Sequence, residues 1–157
     1  MAFRDADTAT SCSLSGTGTE LISNQFSWFY DLRGPSFTLG TACSSSLAVL
    51  HRGCQSIRTG ESSVALVGGC NLSLSLTMFQ VLSNPQFLAD DARYKLFDTK
   101  WNGYSRGEGF AAIVLKPVSD VLRDVDPICA MIRGTGVHQD ERNPRVLRYR
   151  VLMRRLF

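Results

Sequence analysis

The stretch that most constrains the fold is residues 34–47, because its hydrophobic pattern changes period part-way through. After a Gly-Pro turn, apolar and polar residues alternate, which predicts a strand over residues 36–42. Apolar residues then recur at steps of three and four, which predicts a helix over residues 44–58. Cys43 therefore lies where a strand turns into a helix. The two periods are carried by Phe37, Leu39 and Thr41 in the strand and by Leu47, Leu50, Cys54 and Ile57 in the helix.

This position favours chemistry at the Cys43 thiol. The first N–H groups of a helix lack intrahelical partners and carry the positive end of the dipole, and both features favour the reactive thiolate. Three small serines at 44–46 leave room for an acyl group. The Cys43 N–H is placed to donate to a developing oxyanion. Cys43 is therefore the candidate nucleophile, and the alternative is a small buried hydrophobic residue without chemistry.

Composition indicates an ordinary globular chain with neither a membrane-spanning run nor a disulfide framework. Of 157 residues, 44% are hydrophobic and 20% are charged, which is normal for one domain. No run approaches the ~18 apolar residues of a membrane span, and the N-terminus has early acidic residues and no signal-peptide pattern. The cysteines are widely spaced with no C-x-x-C pair, so we expect no metal site and a reducing, cytoplasmic location. They are Cys12, Cys43, Cys54, Cys70 and Cys129.

The positive net charge belongs to one end of the chain. The sequence carries a formal charge of +3, but six arginines lie between residues 142 and 155. Without residues 141–157, 11 basic and 13 acidic residues remain, a net charge of −2. Because no basic patch continues into the body, we expect no nucleic-acid partner.

The remaining patterns predict short elements along the chain. A helix is expected to begin at a cap supplied by Ser23 or Asn24. A continuous apolar run at 64–67 predicts a buried parallel strand that ends at Gly68 and Gly69, where the backbone must pack closely. Residues 72–82 give a mixed pattern, in which apolar residues alternate up to Leu76 and residues 77–82 look helical. Further predicted elements are a surface loop at 84–95, a strand at 110–115, a helix at 119–123 and a last strand at 128–132, and Gly60 is expected to end the helix over 44–58.

Three motifs in order resemble the β-ketoacyl synthase family, in the form found in fungal type I polyketide synthases. The first is Gly-Pro-Ser-Phe-Thr-Leu-Gly-Thr-Ala-Cys-Ser-Ser-Ser-Leu at 34–47, which resembles the active-site segment. The second is Phe-Asp at 97–98 followed by Asn-Gly-Tyr-Ser-Arg-Gly-Glu-Gly at 102–109, and the third is Arg-Gly-Thr-Gly-Val at 133–137 with Gln-Asp following. Three signatures in family order are far more specific than any one motif.

The resemblance implies an α/β, thiolase-like fold, of which this chain would carry much of the N-terminal half, and usually a homodimer. It implies polyketide or fatty-acid-type synthesis by an acyltransferase, in which Cys43 takes an acyl group and condenses it with a malonyl group by a decarboxylative Claisen reaction. The thioesters would be carried by phosphopantetheine on an acyl carrier protein, with no cofactor bound directly. It also places the glycine-rich segment beside Cys43.

The two histidines of this chain do not match the two that the family uses, which lie downstream of the matching region. His51 follows Cys43 by eight residues on the same predicted helix, or ~12 Å at 1.5 Å per residue, so it cannot touch the thiol. His138 is expected to be a loop residue. Arg106 and Glu108 are expected to form a structural ion pair or loop tie rather than an acid–base couple.

We therefore expect a poorly matched segment at 1–15, a partial β-ketoacyl synthase domain at 16–140 and a basic tail outside the family at 141–157. A partial domain would expose apolar surface and unpaired strand edges. One alternative is a catalytically dead truncated fragment that lacks the catalytic histidines. Another is a cysteine-dependent acyl hydrolase or transferase, although Thr41 and Ser45 occupy the glycine positions of a Gly-x-Cys-x-Gly elbow.

Overall fold

The computed structural model describes residue 16 and residues 18–139. The predicted segments 1–15 and 141–157 and Cys12 lie outside the described residues. The helices are α1 (Ile22–Phe29), α2 (Ser45–Arg58), α3 (Leu76–Ser83) and α4 (Val118–Asp124), the strands are β1 (Ala65–Asn71) and β2 (Gly109–Leu115), and short 3₁₀ turns span Thr19–Leu21 and Ala42–Ser44.

Helix α2 confirms the prediction made from the three- and four-residue period. It starts at Ser45, one residue after the predicted start, because the 3₁₀ turn Ala42–Ser44 precedes it. The helix ends at Arg58, and Gly60 follows in the left-handed region with φ +76°. Glycine adopts that conformation without the steric cost of a Cβ atom, so its predicted role as a stop is confirmed.

Strands β1 and β2 pair antiparallel, from Ala65 opposite Leu115 to Asn71 opposite Gly109. The predicted buried parallel strand at 64–67 is therefore wrong in orientation and length. Val67 is buried, whereas Leu66 is 50% exposed, because within the described residues a helix covers only one face of the pair. Gly68 and Gly69 lie inside β1 rather than at its end.

Close packing of α2 on the sheet depends on glycines. A Cβ atom at Gly53 would lie 2.8 Å from Val67 Cγ2 and 3.1 Å from Leu115 Cδ1. A Cβ atom at Gly69 would lie 2.6 Å from Ser46 Oγ, which confirms close packing at this glycine. Among the described residues the buried hydrophobic side chains are Ala48, Cys54, Val67 and Ala89. The first three lie in α2 and β1, whereas Ala89 lies in the loop after α3, where its N–H donates to the Tyr104 carbonyl.

The predicted strands at 36–42 and 128–132 do not form within the described residues. Alternation gives a segment the shape of a strand, but a strand also requires a neighbour to complete its backbone hydrogen bonds. Residues 36–42 are instead tied to α1 by side chains. Ser27 Oγ donates to Ser36 Oγ at 2.9 Å, and Thr38 Oγ1 donates to Ser23 Oγ at 3.4 Å.

The other helices follow the predictions except in their caps. Helix α1 begins at Ile22 after a 3₁₀ turn, and its cap position is Leu21, so the predicted cap at Ser23 or Asn24 is wrong. Helix α3 is capped by Ser75, whose Oγ accepts the Thr77 N–H at 3.2 Å. The surface loop predicted at 84–95 is a loop apart from a single bridge between Leu88 and Tyr104, but it is not wholly at the surface, because Ala89 within it is buried.

Much apolar surface is exposed in the described part of the chain, as expected for a partial domain. Trp28 on α1 is 84% exposed and Phe110 on β2 is 88% exposed. Each strand also has one partner among the described residues, so its other edge is unpaired there. None of the described helices combines the length and the apolar character that crossing a membrane would require.

Candidate active site

Cys43 lies in a tight turn that local hydrogen bonds hold together. Ser44 Oγ donates to the Thr41 carbonyl at 2.8 Å and to Thr41 Oγ1 at 3.0 Å. Ser45 Oγ donates to the Ala42 carbonyl at 2.7 Å and accepts the Thr41 N–H at 2.8 Å. None of these hydrogen bonds uses the Cys43 N–H or thiol. The hydroxyls of Ser44 and Ser45 therefore hold the turn in which Cys43 lies.

Backbone strain at Ala42 accompanies this arrangement. Ala42 has φ +53°, in the left-handed region that non-glycine residues rarely occupy. Such a conformation costs about 1 kcal/mol or more and persists only where the surrounding contacts determine it. Here the hydrogen bonds of Ser44 and Ser45 to Thr41 and Ala42 supply those contacts. The turn presents Cys43 as an exposed side chain directly before α2.

Strand β1 fixes the position of the helix start relative to the sheet. The first turn of α2 contains Ser46, whose Oγ would lie 2.6 Å from a Cβ atom built at Gly69. The N–H of Ser45, the first residue of α2, donates to the Ala42 carbonyl, so a backbone hydrogen bond joins the helix to the turn. The Cys43 turn is thus attached to a packed helix rather than to a free loop.

The glycine-rich segment at 106–108 is tied to the end of β1. The Asn71 side-chain amide donates to the Gly107 carbonyl, and Arg106 donates to Asn71 Oδ1 at 3.3 Å. Glu108 Oε1 accepts the Ser73 N–H at 2.6 Å. Arg106 and Glu108 therefore tie the loop to the end of β1 and to Ser73, which is one of the two roles expected for them. The ion pairs among the described residues do not join Arg106 to Glu108.

Sequence reasoning missed Asn71, although a signal was present. Asn71 is the polar residue that directly follows a run of apolar and glycine residues, Ala-Leu-Val-Gly-Gly-Cys at 65–70. An Asn side chain offers a carbonyl acceptor and two N–H donors to a neighbouring segment. The partner could not be identified without the pairing of β1 with β2.

The structure places His51 against Thr135 rather than at Cys43. His51 Nδ1 lies 2.8 Å from Thr135 Oγ1, so His51 holds the segment at 133–135 against α2. Arg58 reinforces this contact by donating to the Arg133 carbonyl at 3.4 Å. His138 is an exposed residue outside the helices and strands, as predicted.

Other groups in the described part of the chain form no second candidate site. The described residues contain no cluster of three or more His, Cys, Asp or Glu that could hold a metal ion, and Cys43, Cys54, Cys70 and Cys129 are free thiols. A surface depression of about 510 Å³ lies between the end of α3 and the segment at 104–106. Cys43 is not among its lining residues.

The strongest charge cluster is structural. Lys116 donates to Asp124 and Asp126, each at 2.6 Å, and these two carboxylates raise the pKa of Lys116. Arg123 first, and then Lys116, hold the pKa of Asp124 below its ordinary value. The cluster joins the end of β2 to α4 and its C-terminal turn.

Comparison with known proteins decides the family. The family profile for the β-ketoacyl synthase N-terminal domain matches residues 2–121. The chain belongs to the β-ketoacyl synthase family. The match begins before the predicted domain boundary at residue 16, and the boundaries themselves stay a prediction.

Fungal polyketide synthases are among the curated relatives of this ketosynthase chain. It is 55% identical over 142 residues to the partially reducing polyketide synthase men1 of Menisporopsis theobromae. It is 54% identical over 142 residues to the partially reducing polyketide synthase tpeA of Talaromyces stipitatus. Each match covers 90% of this chain and 6% of the relative, so the chain spans a small part of those proteins.

A solved relative confirms the fold. The ketosynthase from module 6 of the bacillaene synthase of Bacillus subtilis 168 superposes with a TM-score of 0.78 at 35% identity. The match covers 83% of this chain and 23% of that chain. The predicted α/β, thiolase-like fold, present in part, is therefore confirmed. The comparisons favour the ketosynthase assignment over a cysteine-dependent hydrolase.

Proposed function

We propose that this chain carries the acyl-accepting nucleophile of a ketosynthase that acts in polyketide synthesis, and that the nucleophile is Cys43. The observation that supports this most is the exposed Cys43 in a hydrogen-bonded turn directly before α2. Family membership and the motif at 34–47 support the same role. A thiol so placed is available to a thioester while its backbone stays fixed.

The reaction proceeds in two steps at the Cys43 sulfur. The thiolate attacks the acyl carbon of a thioester carried by an acyl carrier protein, a new thioester forms on Cys43, and the phosphopantetheine thiol leaves with the proton. A malonyl thioester then loses carbon dioxide, and the electron pair of that bond attacks the Cys43 acyl carbon. The carbon–carbon bond forms as the Cys43 thiolate leaves, so the enzyme is restored.

This chain's own residues contribute to the first step. The Cys43 N–H is available to donate to the oxyanion that develops on the acyl oxygen. Ser44 and Ser45 do not compete as nucleophiles because their hydroxyls hold the turn. His51 is held by Thr135 and is no base for the thiol. The histidines that assist decarboxylation in the family have no counterpart here, so this chain alone accepts an acyl group but does not condense.

The proposed partners follow from the relatives and the surface. An acyl carrier protein with phosphopantetheine would deliver the acyl and malonyl thioesters, as expected for a part of a polyketide synthase. A second ketosynthase copy would cover part of the exposed apolar surface and form a homodimer. The free thiols of the described cysteines support a cytoplasmic setting.

The test is acyl transfer to the purified 157-residue chain. We would incubate the chain with the N-acetylcysteamine thioester of hexanoic acid and locate the added mass by peptide mass spectrometry. The acyl mass is expected on Cys43, and Cys43→Ala should abolish it. Cys129→Ala is the matched control, since Cys129 is exposed but lies outside any helix start.

Four results would contradict parts of the proposal. Acylation that persists in Cys43→Ala, or that is absent from the wild-type chain, would overturn the nucleophile assignment. Turnover of the Cys43 acyl group to free acid would favour a hydrolase. A carbon–carbon product from malonyl thioester and this chain alone would show that the downstream histidines are not required.

A further inference from the structure

Residues 126–139, here called the strap, lead from α4 to α2 without forming a helix or a strand. The start of the strap is fixed by Asp126, which accepts from Lys116 at 2.6 Å and donates its N–H to the Val121 carbonyl. Within residues 127–139, Thr135 is partly buried and the other residues are exposed. The packing of the strap on the rest of the described chain is therefore concentrated at Thr135.

The strap contacts the side of α2 that faces away from the sheet. Ser46 and Gly53 pack on β1 from one face of the helix. At 3.6 residues per turn, His51 and Arg58, which bind the strap, lie roughly 140° around the helix axis from that face. Helix α2 therefore lies between the sheet on one side and the strap on the other.

The hydrogen bond at His51 is the stronger of these two attachments to α2. His51 Nδ1 and Thr135 Oγ1 are 2.8 Å apart in a partly buried contact, whereas Arg58 donates to the Arg133 carbonyl at 3.4 Å in an exposed one. A long, exposed hydrogen bond contributes less to stability, because water replaces it readily. Since Arg58 ends the helix and His51 lies nearer its middle, the strap runs along α2 toward the start of the helix.

We propose that His51 is a positioning residue that latches the strap onto α2, and that the strap opens separately from the packed unit of α2 and the sheet. Loss of the bond between His51 and Thr135 releases the strap and leaves α2 on the sheet, because Ser46 and Gly53 make their contacts from another face of the helix. Local opening of this kind is typical of segments with few buried contacts. The inference goes beyond acyl transfer at Cys43 and does not depend on it.

The experiment measures opening of the strap by cleavage with trypsin after Arg133. A protease must bind an extended stretch of chain, and Arg58 holds the Arg133 carbonyl in the closed strap. Cleavage after Arg52, which lies inside α2, reports unfolding of the helix instead. The folded 157-residue chain is treated briefly with trypsin, and both initial rates are read by mass spectrometry. When opening and closing are fast relative to cleavage, the rate follows the population of the open strap.

Substitutions at His51 test the latch and its geometry. Losing one hydrogen bond of typical strength shifts an open–closed equilibrium by about fivefold, so His51→Ala should raise the rate after Arg133 by about that factor. The rate after Arg52 should stay constant, because alanine favours a helix. His51→Asn should restore the wild-type rate, since its amide group takes the place of Nδ1. His51→Gln should not, since its amide group takes the place of Nε2.

Two further variants provide the partner and the matched control. Thr135→Val keeps the shape of Thr135 but removes the hydroxyl, so it should raise the rate about as much as His51→Ala, and the double variant should add nothing. Each rate after Arg133 is divided by the rate for a synthetic peptide of residues 128–139 with the same sequence, which removes direct effects on the protease. Ser56→Ala removes a partly buried 2.9 Å bond to Ser62 from another side of α2 and should leave the rate after Arg133 unchanged.

The outcomes decide the proposal independently of the acylation test. A raised rate after Arg133 in His51→Ala and Thr135→Val, with rescue by His51→Asn, supports the latch even if Cys43 accepts no acyl group. An unchanged rate in both variants, or an equal rise in His51→Asn and His51→Ala, overturns it even if Cys43 is acylated. If the rate after Arg52 also rises in His51→Ala, Thr135→Val decides, because it leaves every residue of α2 in place.

Discussion

Two regions of this chain differ in how completely they are packed. Helix α2 packs on the pair β1–β2 at glycine positions where a Cβ atom would come too close to a side chain of the facing element, and Val67 is only 6% exposed. Helix α1 and the outer face of the sheet instead present Trp28 and Phe110 to solvent. The candidate nucleophile is attached to the packed region. Its geometry therefore depends on contacts within this chain, whereas the exposed apolar faces are available to further polypeptide.

The largest expected effect is Gly53→Val, which tests whether the packed region is as tight as described. The new side chain would collide with Val67 and Leu115 on the sheet, where the neighbours have little room to move. Overpacking of this kind costs about 2 kcal/mol of unfolding free energy. The measurement is the urea concentration at the midpoint of unfolding.

The matched control for this prediction is Gly136→Val. No atom lies within 4 Å of a Cβ built at Gly136, so its unfolding free energy should change by less than ~0.5 kcal/mol. Equal effects of the two substitutions would show that α2 does not depend on close contact with β1.

An intermediate effect is expected at the charge cluster that joins β2 to α4. The pKa of Asp124 lies below its ordinary value of 3.8, so its contribution to stability is present above pH 3.8 and is lost as the pH falls through the lowered value. The pKa of Lys116 lies above 10.5, so its contribution is present below pH 10.5 and is lost as the pH rises through the raised value.

Lys116→Met isolates this pH dependence. The variant should have a lower melting temperature at pH 7 and a smaller further decrease between pH 5 and pH 2 than the wild-type chain. Melting curves followed by circular dichroism at several pH values provide the measurement. If the melting temperature of Lys116→Met decreased between pH 5 and pH 2 as much as that of the wild-type chain, Lys116 would not contribute to the pH dependence of stability.

The smallest effect on stability is expected at helix α1, whose Trp28 side chain is exposed to solvent. Trp28→Ser removes an aromatic side chain that is 84% exposed, so the unfolding free energy should change by less than ~0.5 kcal/mol. Self-association, followed by sedimentation velocity, should decrease because a large apolar group leaves the surface. A loss of more than ~1 kcal/mol would show that α1 is packed like α2.

The same contrast explains what could be predicted about the fold from the sequence. The helix at 44–58 was predicted within one residue because its hydrogen bonds are internal. The strands at 36–42 and 128–132 were not found in the described residues because alternation does not provide a neighbouring strand. The apolar run at 64–67 predicted a strand, but pairing direction depends on β2, some 40 residues away.

The candidate site was predictable in its chemistry and not in its geometry. Cys43 is the candidate nucleophile because it lies where the hydrophobic pattern changes from that of a strand to that of a helix. The spacing along the predicted helix places His51 too far from Cys43 to touch the thiol. The left-handed φ of Ala42 could not be predicted, because alanine has no preference for that region. Asn71 acquires its role only when β1 and β2 pair and bring Gly107 alongside.

The most direct test of the central claim compares the four described cysteines within one wild-type chain. The rate of acylation by a hexanoyl thioester would be followed separately at Cys43, Cys54, Cys70 and Cys129 by peptide mass spectrometry. We predict that Cys43 reacts at least about tenfold faster than Cys70 and Cys129, which are also exposed but do not precede a helix. Equal rates at these three exposed cysteines would contradict the assignment of Cys43 as the nucleophile.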